Sequence, residues 1–152
     1  LPAALLAAAR PFLEKAGIIV TDDSLAAAAL QSVKEKVSRL AEFPEWVHYF
    51  FREDYPTEED ALAKLRAKPE NPALLQAAAA AFQALTEWTE PAVHTAIEDA
   101  AKGAGVKPGA LMPLLRFALS GQTRGPGVAT IAHLIGKERT LGRIQSALAK
   151  MG

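Results

Sequence analysis

The residues best suited to chemistry are four arginines near the carboxyl end of the sequence, and that chemistry is recognition of a polyanion. They are Arg116, Arg124, Arg139 and Arg143. An arginine can fork onto a base edge or a phosphate and can stack its planar group on an exposed base. Residues 100–152 contain eight Lys or Arg and one acid, although the whole chain has a formal net charge of zero. This asymmetry indicates an RNA-binding surface, and a solvated basic face on a helical bundle is the alternative that the residues leave open.

A glycine-rich turn separates the first of these arginines from the last two. Gly121, Gly125 and Gly127 would let the backbone approach a base closely. Pro126 offers a flat apolar contact between them, and Arg124 lies on the turn itself. We therefore expect several donors to converge on a strand of RNA that lies across this turn.

No group of residues has the pattern of a catalytic or metal site. The three histidines lie far apart in the sequence, and none has a second ligand at a spacing such as HExxH. There is no cysteine, and no serine has an identifiable base. The turn from Gly121 to Gly127 lacks the residue order of a phosphate-cradling loop. We therefore expect no catalytic residue, metal or cofactor in this chain, and no membrane partner, because no apolar run approaches about 20 residues.

Helix signals run through the whole chain, and no strand-like alternation is found. Alanine runs and scarce β-branched residues favour helix. Proline and capping residues predict helices over residues 3–16, 24–41, 57–67, 72–88, 91–103 and from 108 onward. The two prolines near residues 68–71 predict a linker there, between a first subdomain, 1–67, and a second, 72–152. The expected fold is therefore all-α, with two consecutive helical subdomains.

The densest aromatic cluster comprises Trp46, Tyr49, Phe50 and Phe51. At helical spacing such a cluster favours a place in the core, although aromatic rings can also stack on nucleobases. An exposed cluster would instead support an alternative function, that of a stand-alone helical adaptor for a protein partner. Burial of these rings distinguishes the two possibilities.

Several motifs occur in the order and spacing of a known family. They are KEKVSRLAEFPEW (34–46), YFFREDYP (49–56), EWTE (87–90), GVKPG (105–109), PLLRFALSG (113–121) and GKER (136–139). Together they resemble the C-terminal part of bacterial glutamyl-tRNA synthetases, which are class I enzymes. Because the first residue is Leu rather than Met, we expect a piece of a larger chain.

The resemblance implies that the chain is the all-helical anticodon-binding region of such a synthetase. The family attaches glutamate to its tRNA with ATP and magnesium, and its catalytic motifs do not occur in this sequence. The chain itself is therefore expected to be non-catalytic. The implied partners are the anticodon stem-loop of glutamate tRNA and the catalytic domain of the same synthetase, and the implied location is the cytoplasm.

The resemblance also assigns anticodon-binding roles to particular residues. Arg116 is similar to a family arginine that lies against the anticodon bases. Gly125, Pro126 and Val128 match turn positions that touch the first two of those bases. The turn departs from the family in two ways, because Gly125 replaces a commonly hydroxyl-bearing residue and Arg124 adds a charge that is expected to join the same site.

A third group of residues is expected to read the remaining anticodon base or to hold the RNA backbone. Lys36 takes the place of an arginine that reads the third base in many discriminating members. A lysine cannot make the planar fork, so discrimination at that base is either weaker or passes to Arg39. Lys137, Arg139 and Arg143 are expected to contact the RNA backbone.

Overall fold

The computed structural model describes residues 1–151, and within that span every regular element is an α-helix or a short 3-10 turn. The chain divides into two compact units, one of residues 1–55 and one that begins at Pro56. The prediction of an all-α fold with two consecutive helical subdomains is therefore confirmed. None of the helices described is both long enough and apolar enough to cross a bilayer.

The first unit is built on three α-helices. They are α1 (Pro2–Lys15), α2 (Asp23–Val33) and α3 (Phe43–Val47). α2 begins where the sequence predicts, because the Asp22 carboxylate accepts a hydrogen bond from the Leu25 amide at 3.1 Å. The core of this unit is apolar, and its fully buried side chains include Leu13, Leu30, Val33, Val47, Tyr49 and Phe50.

The predicted extension of the second helix to residue 41 is wrong, because α2 ends at Val33. A 3-10 turn follows, and Val37 then takes an extended conformation with φ −112° and ψ 128°. This break allows the chain to return and place Phe43 and Val47 in the core, where they are 3% and 0% exposed. The gain from burying these side chains outweighs the modest local preference for helix.

Burial of the aromatic cluster removes the surface that the adaptor alternative requires. Tyr49 and Phe50 are 0% exposed, and their rings stack with centroids 4.6 Å apart. Trp46 is half-buried. The rings therefore belong to the core of the first unit, as their helical spacing favours.

The second unit contains the remaining six α-helices of the described residues. They are α4 (Glu59–Arg66), α5 (Asn71–Gln83), α6 (Glu90–Gly103), α7 (Pro108–Ser120), α8 (Val128–Ile135) and α9 (Lys137–Met151). α5 packs against α6 and α9, and α7 packs against α6, α8 and α9. Their shared core includes the fully buried Phe82, Ile97, Leu115, Leu119 and Ile131. α7, the helix that carries Arg116, also contacts α4 and α5, so it is packed against every other α-helix of the second unit.

α5 ends at Gln83 instead of continuing to residue 88 as predicted, and Trp88 lies in the loop that follows. The indole Nε1 donates to the Ala132 carbonyl of α8 at 2.9 Å, and the ring meets Phe82 edge-on at 5.6 Å. Trp88 makes both contacts from this loop, which therefore packs against α5 and α8. The next helix begins immediately, because Thr89 caps α6 by accepting from the amide three residues on, at 3.2 Å.

The structure places the division between the units at residues 55 and 56 instead of in the expected linker, 68–71. α4 belongs to the second unit because both of its ends are bonded there. The Glu58 amide donates to the Gly121 carbonyl at 2.9 Å, and Arg66 Nε donates to the Lys150 carbonyl at 2.9 Å. Residues 68–70 form only part of the turn between α4 and α5, and Asn71 is the first residue of α5.

Candidate nucleic-acid interface

α7 places Arg116 one turn before its carboxyl end. Pro108 opens the helix, where its fixed φ and missing N–H are tolerated, and Leu114, Leu115 and Phe117 bury the opposite side. Arg116 is only half-buried. Its Nη2 donates to the Pro126 carbonyl at a long 3.4 Å, while its Nε is buried without a hydrogen-bond partner among the described residues. The guanidinium group therefore lies against the turn with hydrogen-bonding capacity unused.

Ser120 and Gly121 convert the end of α7 into the start of the turn. The buried Ser120 hydroxyl donates to the Arg116 carbonyl at 2.7 Å and accepts from the Gln122 amide at 3.2 Å. Gly121 then adopts the left-handed conformation, with φ 73°, that commonly ends helices. These contacts connect the backbone of Arg116 to the first residues of the turn.

The turn positions expected to meet the first two bases offer backbone rather than side chains. Pro126 is buried, and Val128 is 2% exposed. The prediction that the Pro126 ring offers a flat apolar contact to a base is therefore corrected: the ring is buried inside the protein. Gly125 is half-buried, with φ 143°. Gly127 caps α8 without a side chain, so the first amides of that helix lie beside the turn.

Arg124 is exposed on the same turn. It is the one residue of this segment whose charged side chain extends into solvent, since its neighbours Gly125 and Pro126 carry no charge. Arg124 also interacts within the chain, so it is not an isolated charge. The structure thus brings Arg116, Arg124, Gly125, Pro126 and Val128 to the same junction between α7 and α8.

The three cations expected to hold the RNA backbone lie on α9 and differ in their surroundings. Arg143 is 4% exposed, and its Nη1 donates to the Leu119 carbonyl at 2.5 Å. The Lys137 ammonium donates to the carbonyls of Gln83 and Leu85 at 2.9 and 2.7 Å, which caps the end of α5. Arg139 is half-buried and also interacts within the chain.

Burial changes the interpretation of Arg143. A guanidinium group that is enclosed and bonded to a helix carbonyl has almost no surface left for a phosphate. We therefore correct the expected RNA-backbone role of Arg143 to a structural one, in which it ties α9 to the last turn of α7. Lys137 retains a partly accessible ammonium, but two of its three donors are already used.

Lys36 and Arg39 belong to the first unit, and they do not share a helix. Lys36 ends the 3-10 turn after α2 and is exposed. Arg39 lies in the extended segment that follows, where its side chain is 82% exposed and its Nε lies 3.3 Å from the Glu42 carboxylate. The break of α2 therefore places both cations on a loop, where their side chains are accessible.

The pKa of His48, a buried residue of the first unit, is clearly displaced. Burial is the main cause and lowers the pKa of His48 below its ordinary value of 6.5. The charge of Arg52 lowers it further, whereas that of Glu45 raises it. The Tyr49 ring meets the imidazole edge-on at 5.7 Å. His48 is therefore a neutral core histidine. No group of three or more His, Asp or Glu suited to a metal occurs among residues 1–151.

The sequence matches a known family over nearly its whole length. Residues 4–148 fit the sequence model of the family described as "Anticodon binding domain". The chain belongs to this family. The anticodon-binding domain is 38% identical over 140 residues to a glutamate–tRNA ligase of Thermus thermophilus, in an alignment that covers 92% of this chain and 29% of the relative. It is 37% identical over 138 residues to that of Akkermansia muciniphila, with coverage of 91% and 30%.

A solved structure has the same fold. The crystal structure of a glutamate tRNA ligase from Elizabethkingia meningosepticum superposes on the anticodon-binding domain with a TM-score of 0.85 and 26% identity. The superposition covers 99% of this chain and 30% of the other. The chain therefore spans about 30% of the length of the relatives it matches.

Sequence reasoning missed one contact to the turn. The sequence predicts no contact between Glu58 and the turn, yet the Glu58 carboxylate accepts from the amide and the hydroxyl of Thr123, at 3.4 and 3.1 Å. The two residues are 65 positions apart, so no local pattern connects them.

Proposed function

We propose that this anticodon-binding domain reads the anticodon loop of glutamate tRNA, as part of a cytoplasmic glutamate–tRNA ligase that attaches glutamate to that tRNA with ATP. Membership in the family supports anticodon binding. The identity to glutamate–tRNA ligases from distant bacteria supports glutamate tRNA as the partner. The glutamate specificity rests on these relatives, whereas the mode of binding rests on the residues of the turn.

The surroundings of Arg116 are the main support for the proposed mode of anticodon binding. Arg116 is half-buried against the turn, its Nη2 donates to the Pro126 carbonyl at a long 3.4 Å, and its Nε has no hydrogen-bond partner within residues 1–151. An anticodon base can accept from the exposed part of this guanidinium group, whereas the buried Nε lies out of reach of a base in this conformation. Exposed glycine backbone and the first amides of α8 lie beside it as further contacts.

We propose that ATP and magnesium bind in a part of the ligase outside this chain. The turn of residues 121–127 contains no lysine to reach a phosphate, and no cluster of acids in the described residues is suited to a metal. We assign activation and transfer of glutamate to the part of the ligase outside this chain. The catalytic domain of the same polypeptide is thus a covalent partner, and this chain contributes selection of the tRNA.

Lys36 is proposed to contact the third anticodon base. It is exposed on a loop of the first unit, and a lysine supplies one cluster of donors without the planar fork of an arginine. Arg39 lies three residues away and is partly engaged with Glu42. We infer that Lys36 is the main contact and that discrimination at this base is modest.

The test is a titration of the 152-residue chain with an anticodon stem-loop of glutamate tRNA and with the same stem carrying a changed anticodon. Arg116→Ala should weaken binding of the cognate loop about tenfold or more and leave the changed loop nearly as before. Lys150→Ala is the control, because this exposed cation should weaken both RNAs equally and reduce the salt dependence. An equal affinity of Arg116→Ala and the unmodified chain for the cognate loop would exclude the site.

A further inference from the structure

A short segment, Pro56–Glu58, lies directly on the turn between α7 and α8, and we call it the strap. The Glu58 amide donates to the Gly121 carbonyl at 2.9 Å. The Glu58 carboxylate accepts from the Thr123 amide at 3.4 Å and from the Thr123 hydroxyl at 3.1 Å. Three hydrogen bonds from one residue thus hold two positions of the turn.

The strap and the turn approach too closely for an ordinary side chain between them. A Cβ on Gly121 would lie 2.8 Å from the Pro56 carbonyl oxygen and 2.9 Å from Thr57 Cγ2. Such distances are shorter than van der Waals contact, so only glycine allows this packing. Glycine at this position therefore serves the contact with the strap as well as the left-handed end of α7.

The carboxylate of Glu58 is directed at the turn and not at its own helix. Glu58 is the N-cap residue of α4, and its side chain makes no capping hydrogen bond. The residues that commonly cap a helix through their side chains are Asp, Asn, Ser and Thr, which are shorter than Glu. The Glu58 carboxylate reaches Thr123 instead, so its hydrogen bonds stabilise the turn.

Displacement of the turn would be transmitted to Arg116. Ser120 bonds to the Arg116 carbonyl and to the Gln122 amide, so the backbone of the arginine is connected to the segment that Glu58 holds. The Arg116 side chain meets the other end of the turn at Pro126. Arg116 and the strap therefore contact the same seven-residue turn, 121–127, at different positions. Arg116 bonds to Pro126, whereas Glu58 bonds to Gly121 and Thr123.

We propose that Glu58 is a positioning residue for anticodon recognition, which fixes the turn in the shape required beside Arg116. This inference rests on the function proposed above. Glu58 acts through Thr123 and touches no RNA. Because a shape requirement concerns the bases and not the phosphates, its loss reduces the preference for the cognate anticodon and not RNA binding in general.

The sign of the effect separates this role from simple electrostatics. Removal of a negative charge from an RNA-binding surface should strengthen binding to every RNA, through reduced repulsion of the phosphates. Loss of a positioning residue should weaken binding of the cognate loop alone. Glu59 provides a matched control, because it is exposed, carries the same charge and is adjacent in the chain.

The experiment measures affinities of the full chain for the cognate stem-loop and for the stem with a changed anticodon. Glu58→Ala should reduce the ratio of the two affinities about fivefold, whereas Glu59→Ala should leave the ratio unchanged. Glu58→Gln should retain most of the preference for the cognate loop, because an amide oxygen still accepts from the Thr123 amide. Thr123→Val removes one bond without changing the charge, so it should reduce the ratio even if Glu58→Ala does not fold.

Two results would overturn the proposal. One is an unchanged ratio in both Glu58→Ala and Thr123→Val, and the other is an equal gain of affinity for both RNAs in Glu58→Ala and Glu59→Ala. Arg116→Ala in the same series distinguishes failure of the Glu58 proposal from failure of the anticodon site. If Arg116→Ala reduces the ratio of affinities and Glu58→Ala does not, Glu58 has no positioning role and the anticodon site is retained. If neither variant changes the ratio, the anticodon site itself is excluded.

Discussion

Arg143 Nη1 donates to the Leu119 carbonyl at 2.5 Å, in a place where the arginine is 4% exposed. Leu119 is in the last turn of α7, whose carbonyls have no partners within their own helix. A charged donor from α9 therefore satisfies a buried backbone acceptor directly beneath the turn that follows α7. The strength of such a bond comes from the charge and from exclusion of water.

Arg143→Met should lower the free energy of unfolding by about 3 kcal/mol, because it keeps much of the side-chain volume but leaves the Leu119 carbonyl without its donor. Urea unfolding followed by circular dichroism measures this change. Gln145→Ala, at an exposed position of α9, should change stability by less than about 0.5 kcal/mol. A stable Arg143→Met chain whose RNA binding is weaker and less dependent on salt would instead restore the RNA-backbone role.

The burial of Arg143 could have been anticipated from the pattern of α9. The buried positions of this helix are Thr140, Arg143, Ile144, Ala147 and Met151, which repeat at intervals of three and four residues. Arg143 thus lies on the apolar stripe, whereas a count of charges treats every cation as exposed. The spacing of the buried residues around Arg143 therefore predicts its burial better than the count of charges does.

Other features depended on contacts between distant residues and could not be predicted from local patterns. Helix starts at Thr89 and Pro108 follow from capping and proline chemistry, which act over one turn. The division after residue 55 depends on bonds from Glu58 and Arg66 to residues 65 and 84 positions away. The two prolines near residue 70 indicate a turn, but a turn alone does not separate two cores.

Gly121→Ala and Gly142→Ala should change stability in opposite directions. Gly121 has φ 73°, and an added Cβ would lie 2.8 Å from the Pro56 carbonyl oxygen, so alanine should cost about 2–4 kcal/mol. Gly142 is inside α9, where a Cβ would meet nothing within 4 Å, so alanine should add about 0.5–1 kcal/mol. Denaturant unfolding of both variants checks the pair, and a neutral Gly121→Ala would mean that the strap does not pack as described.

The free energy of unfolding should depend on pH through His48. Its pKa is lowered in the folded chain, chiefly by burial, so between that pKa and 6.5 the unfolded chain binds more protons. Stability is therefore full above about pH 6.5 and falls as the pH decreases below it. His48→Gln should reduce this slope in urea unfolding measured from about pH 7.5 to about pH 5. His133→Gln is the control, because it leaves His48 in place, and an equal loss of slope in both variants would contradict the assignment.

Lys36→Arg should increase discrimination at the third anticodon base. The exposed lysine offers only a compact ammonium, whereas an arginine at this position offers a fork that can bond two acceptors on one base edge. We expect the ratio of affinities for stem-loops with glutamate and glutamine anticodons, which differ at that base, to rise about five- to tenfold. Titration of both loops with the two chains measures this ratio. If Lys36→Arg leaves the ratio unchanged and Arg39→Ala reduces it, the base is read by Arg39, whose Nε would have to leave the Glu42 carboxylate at 3.3 Å to do so.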